Sequence, residues 1–136
     1  MSVAELRSDV VILVCTVSAG VHGALVPAHF AVGTGAGVGF LAATVVLAAL
    51  ALVLTRYPAS ALALAGTAAV LVCLLASYAL ATTTGLPVLQ PDPEPVDGLA
   101  LATKAIEAVG LLAALPTPKG TSTWTPHGLR ALSRSR

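Results

Sequence analysis

Five side chains have the types and spacing to do chemistry: His22, His29, Asp97, Lys104 and Glu107. Lys104 and Glu107 stand three residues apart inside the otherwise apolar run from Pro95 to Pro116. That run is long enough to cross a bilayer, where a charge near the centre costs at least ~2.5–3.5 kcal/mol, so both groups need partners. Three apart on a helix, they can neutralise each other as an internal ion pair. Asp97 suits the N-cap of the same helix, at the positive end of its dipole. At 3.6 residues per turn Asp97 and Lys104 nearly eclipse each other, and Glu107 falls within about 80° of Asp97. Lys104 then lies about 10 Å, and Glu107 about 15 Å, along the axis from Asp97.

His22 and His29 are seven residues apart, which would align them on one helical face if Pro27 did not intervene. With Asp97 or Glu107 they form a ligand set suited to zinc, copper or iron. No H-x-x-H, C-x-x-C or E-x-x-H motif reinforces a transition-metal site, and the Lys104 charge opposes a cation unless Glu107 offsets it. Each residue also has a structural role open to it: Asp97 as a cap, His22 bonded to a neighbouring helix, His29 in a loop. His127, far down the tail, is not expected to take part.

The elements that must position these groups are apolar spans. Hydrophobic residues make up 57% of the 136 and charged residues 10%, against roughly 25% charged in soluble domains. Too few polar side chains are present to cover a soluble surface of this size. The expected fold is all-α: a membrane-embedded bundle of four transmembrane helices over residues 10–26, 37–54, 59–81 and 98–115. Residues 1–116 form one domain, and 117–136 a flexible basic tail. The first run, about 25 Å at 1.5 Å per residue, just suffices to span. A signal peptide is the competing reading, but Glu5 and Asp9 flank Arg7 and no small-x-small cleavage site precedes His22. Pro27 is expected to end or kink this span.

Gly33, Gly35, Gly37 and Gly39 alternate just before the second span. Their spacing does not match a phosphate-binding G-x-G-x-x-G. It reads as two overlapping G-x-x-x-G pairs, where a neighbouring helix can approach closely. Tyr78 near the end of the third span suits an interfacial aromatic position. The alternating prolines of residues 90–95 predict a stiff, extended loop. Cys15 and Cys73 fall within apolar runs as small hydrophobes, and no disulfide is expected between them.

Arg7, Arg56, Lys119, Arg130, Arg134 and Arg136 all fall on one side of a four-span arrangement. The opposite side carries only Asp92, Glu94 and the boundary Asp97. Both termini are therefore expected in the cytoplasm. A net charge of +1 and 4% aromatic residues exclude a basic or stacking surface for nucleic acid.

His22 and His29 around the first outer loop, the Thr83-Thr-Gly-Leu-Pro87 turn, and Asp97 followed by Glu107 resemble a family of small four-span integral membrane proteins of actinobacteria. The resemblance covers most of the chain up to Leu115. In that family an acid is expected before the second His, where this chain has Ala28, and a G-x-x-F turn after it, which Gly37-Val-Gly-Phe40 matches. It implies a four-span fold in a bacterial inner membrane and no activity. The leading functional expectation is a binding or accessory subunit with a polar site in the outer half of the bundle. Its partners would be the lipid bilayer and either further copies of itself or a larger membrane complex. The alternative is a small oligomeric transporter in which Glu107 exchanges protons, similar to the small multidrug exporters, although those carry their acid in the first span. No nucleophile–base pair is present, and an enzyme is not expected.

Overall fold

The computed structural model describes residues 2–87, 89 and 91–116. The predicted basic tail, with Trp124, His127 and four of the cationic residues, lies outside the described residues. Four α-helices follow one another: α1 (Val3–Val32), α2 (Thr34–Arg56), α3 (Ala61–Thr83) and α4 (Gly98–Ala114). Each packs on its neighbour in sequence, and α1 also packs on α4, so the four close into a ring. Helices α1, α2 and α3 are long and apolar enough to cross a membrane. Helix α4 has 17 residues, about 26 Å at 1.5 Å per residue.

Two sequence expectations need correction. The first helix has 30 residues and continues through Pro27, so it does not end at residue 26, one of the two outcomes expected of the proline. Proline cannot donate to the carbonyl of Gly23, but its fixed φ is compatible with a helix, and the helix continues on either side of it. As a result the link to α2 is a single residue, Gly33. The second helix accordingly begins at Thr34 and not near Gly37. The start of α1 is fixed by a capping box, in which Ser2 and Glu5 bond each other's backbone amides.

The interior combines small and polar residues with a few leucines and valines, and most of the large apolar side chains point outward. On α1 the buried positions are Ser8, Val11, Val14, Cys15, Ser18, Ala19 and His22, a stripe at three- and four-residue spacing. On α4 they are Thr103, Glu107, Gly110 and Ala114. Leu47, Leu54 and Leu71 supply the bulk of the core from α2 and α3. Leu13, Leu62 and Leu112 are 63%, 85% and 72% exposed, whereas Glu107, Ser18 and Thr67 are 0% exposed. In water this distribution would leave an unusually large apolar surface uncovered; in lipid the outward leucines cost nothing and close packing is left to small residues.

Two tethers bring the Arg7 end of the molecule together. The Arg7 guanidinium donates to the carbonyls of Ala113 (2.9 Å from Nη2) and Leu115. A cation there satisfies carbonyls that the end of α4 leaves without helical donors. The Ser8 hydroxyl donates to the carbonyl of Pro58, in the α2–α3 connection, at 2.7 Å. At the opposite end the segment after α3 turns at Gly85, whose φ of 74° favours glycine. It is held back against α3 by the Glu94 amide, which donates to the Ala81 carbonyl at 2.8 Å.

Candidate functional site

Polar side chains from α1 and α4 meet inside the ring. Lys104 Nζ donates to Glu107 Oε2 at 2.7 Å. The other carboxylate oxygen, Oε1, accepts from the Ser18 hydroxyl at 2.6 Å. Glu107 is thus fully buried with both oxygens satisfied, the condition under which a buried carboxylate is tolerated. His22 comes next along the chain of contacts. Its Nδ1 lies 2.9 Å from the Ser18 carbonyl and 3.9 Å from Glu107 Oε1. A carbonyl only accepts, so Nδ1 carries the proton, and Nε2 is the acceptor of the neutral ring. The helical repeat explains why these groups meet: Ser18 and His22 are four apart on the stripe of α1 that faces α4.

His29 belongs to a second cluster. Its Nδ1 donates to the Leu25 carbonyl at 3.0 Å, and its Nε2 lies 3.5 Å from Glu94 Oε1. With Nδ1 already donating, the contact with Glu94 is attractive when Nε2 is protonated as well. Phe40 joins the two clusters. Its ring stacks on His29 with centroids 3.5 Å apart and meets the His22 ring at 5.2 Å. Because α1 continues through Pro27, the two histidines do share a face, against the expectation that Pro27 would separate them.

Of the proposed metal ligands His22, His29, Asp97 and Glu107, His22 and Glu107 approach to 3.9 Å, while His22, His29 and Asp97 line the same cavity without a contact between them. His29 faces Glu94. Asp97 Oδ1 accepts from the Ala100 amide at 2.7 Å as the N-cap of α4. Among the described residues no group of three or more His, Cys, Asp or Glu side chains is gathered closely enough to hold a metal ion.

The glycines divide as well. A Cβ at Gly37 would overlap the Phe30 ring of α1, whereas one at Gly33 or Gly39 would meet nothing within 4 Å. Within the chain the close approach is therefore at Gly37 and not at Gly33 or Gly39. The tight contact between α1 and α4 is at Gly110, where a Cβ would lie 2.9 Å from Val14 Cβ.

Comparison of the chain with family models, curated proteins and solved structures gives no match. What the arrangement can do is therefore read from its own geometry. A cavity of about 160 Å³ opens beside the polar cluster, lined from all four helices by residues that include His22, Gly39, Phe40, Tyr78 and Lys104. A second, of about 120 Å³, shares His22, Phe40, Tyr78 and Lys104 and extends along α1 and α4 to Asp97. Glu94 borders both.

Sequence reasoning missed Ser18, Glu94 and Tyr78 as members of the site. Ser18 had a legible signal, a hydroxyl one helical turn before His22 in an otherwise apolar run. Glu94 and Tyr78 had none, because nothing in the letters brings the proline-rich segment back over His29 or turns Tyr78 inward.

Proposed function

We propose that this chain is a four-span integral membrane protein with both termini in the cytoplasm, which binds a small ligand in a polar site in the outer half of its bundle. The observation that carries the reading is the cavity bordered by all four helices next to the buried Lys104–Glu107–Ser18–His22 cluster. Satisfied polar groups in an apolar bundle are costly to retain for packing alone and mark binding or transfer sites. The division of charge between the two ends supports the orientation. Arg7 and Arg56 belong to the end held by the Ser8 and Arg7 tethers, and Glu94 and Asp97 to the other. Helix α4 counts as the fourth span because its charges are internally paired and its outer face is apolar.

Resemblance to the small actinobacterial four-span family fits the same picture and assigns no activity. Proton-coupled transport through Glu107 is the second reading. It is favoured by one feature, the continuous chain of contacts from Glu107 through Ser18 to His22, which borders the cavity.

Native mass spectrometry of the full chain, released from detergent micelles, tests the binding reading. The expected result is a mass above that of the polypeptide by one small organic molecule, with the adduct lost on mild activation. A bare chain, whether monomeric or oligomeric, would leave binding unsupported. An adduct that contains a metal ion would replace the organic ligand. Proton uptake by liposomes containing the protein, abolished by Glu107→Gln, would favour transport instead.

A further inference from the structure

The cavity specifies more than its presence. Tyr78 lines it, and the Tyr78 hydroxyl is buried without a hydrogen-bond partner among the described residues. A buried hydroxyl in that state gives up hydrogen bonding worth about 1–3 kcal/mol, so a group that accepts from it would be held there. Lys104 sits beside it, Nζ 5.7 Å from the centre of the Tyr78 ring. One ammonium proton goes to Glu107, and the others have no acceptor among the described residues. The Tyr78 hydroxyl and Lys104 are therefore the unused donors at the cavity, beside the acceptors His22 Nε2 and Glu94 that also line it.

The rest of the wall is chiefly Ala36, Ala43, Leu74, Ala81 and the Phe40 ring, with Gly39 leaving an open recess. At about 160 Å³ the space is close to that of an apolar cavity of ~150 Å³ that accepts benzene. Charge narrows the class further. The Lys104 ammonium is neutralised by Glu107 at 2.7 Å, and Glu94 also borders the space. An anion would add a third negative group beside one cation, and a cation would meet Lys104.

We propose that this cavity binds a neutral, ring-sized apolar molecule bearing one carbonyl group, whose oxygen accepts from the Tyr78 hydroxyl and from Lys104. This rests on the binding reading given above and adds to it the chemical class of the ligand. Neither His22 nor Glu107 needs to change protonation for such a molecule to enter.

A matched pair of probes tests it: 4-fluoroacetophenone, neutral, and 4-fluorobenzoate, its anionic counterpart, followed by fluorine NMR on the full chain in lipid nanodiscs. The ketone is expected to bind saturably, above its linear partition into empty nanodiscs, and the benzoate is not. Tyr78→Phe should weaken the ketone about three- to tenfold, the range for one lost hydrogen bond. Gly39→Leu fills the recess without meeting any neighbour of its Cβ and should abolish saturable binding at unchanged thermal stability. Ala43→Leu serves as a second filled variant. If both filled variants fail to fold, the Tyr78→Phe titration decides. Saturable binding of the benzoate in place of the ketone would overturn the ligand class while leaving the binding reading intact. Unchanged ketone affinity in Tyr78→Phe, or equal uptake by a folded filled variant, would overturn the assignment to this cavity. If neither probe binds and the purified chain carries no adduct, the binding reading falls too.

Discussion

At the scale of single residues, Glu107 is the group on which the interior depends. Both its oxygens are occupied, one by Lys104 and one by Ser18, and no part of it reaches solvent. Its removal and that of its partner should therefore be strongly coupled. Lys104→Met or Glu107→Gln alone leaves one buried charge that keeps its desolvation cost, a loss of about 3–5 kcal/mol in comparable buried pairs. The double variant Lys104→Met/Glu107→Gln is expected to recover most of that loss, read as the melting temperature of the purified protein in detergent. If Glu107→Gln alone is harmless and Lys104→Met alone is harmful, the pair is not the unit of stability. Ser18→Ala should act in the same direction and by less, about 1.5–3 kcal/mol for a hydrogen bond to a charged group.

At the scale of elements, the helices are spaced by what is missing from them. Where α1 meets α4, Gly110 lets Val14 rest against its backbone, and where the chain reverses between α1 and α2, Gly37 lets the Phe30 ring do the same. Overpacking a filled contact costs about 1–3 kcal/mol. Gly110→Leu and Gly37→Leu should each lower the melting temperature and the yield of folded protein. The effect should be greater at Gly110, because the stem of Val14 cannot rotate away as a ring can. Gly39→Leu, on the same helix as Gly37 and two residues on, should leave stability unchanged. Damage from Gly39→Leu equal to that from Gly37→Leu would show that the alternating glycines act together as one packing surface.

At the scale of the whole molecule, the arrangement is an inside-out one. Polar and small side chains share the inside with a few leucines and valines, and most of the large apolar residues are outside, so the solvent that suits it is lipid. The two ends then differ in their cations, with Arg7 and Arg56 beside Glu5 and Asp9 at one and the acids Glu94 and Asp97 at the other. The orientation rule for Lys and Arg predicts reporter tags at either terminus on the cytoplasmic side. A cysteine introduced at Glu94 should react with an impermeant thiol reagent added outside intact cells. Termini on opposite faces would mean that one helix does not cross, and α4, with 17 residues and two charges, would be the first to suspect.

The letters by themselves determined the apolar character of the chain, the four helical runs, the cap at Asp97, and the reach of Lys104 to Glu107 three residues on. All of these follow from composition and from the 3.6-residue repeat, which act within one segment. Tertiary structure alone decided the rest. Pro27 reads as a break because it removes a hydrogen bond, and only the folded chain shows that the helix continues through it. Four glycines in alternation look equivalent, yet whether one is a contact or a recess depends on which neighbour stands opposite. The four proposed metal ligands share residue types but are not gathered closely enough to hold one ion, since Glu94 returns over His29 while Asp97 caps its own helix. The buried Tyr78 hydroxyl belongs to the same class. Its environment is made by residues of four helices and a loop, and no local rule of sequence carries that information.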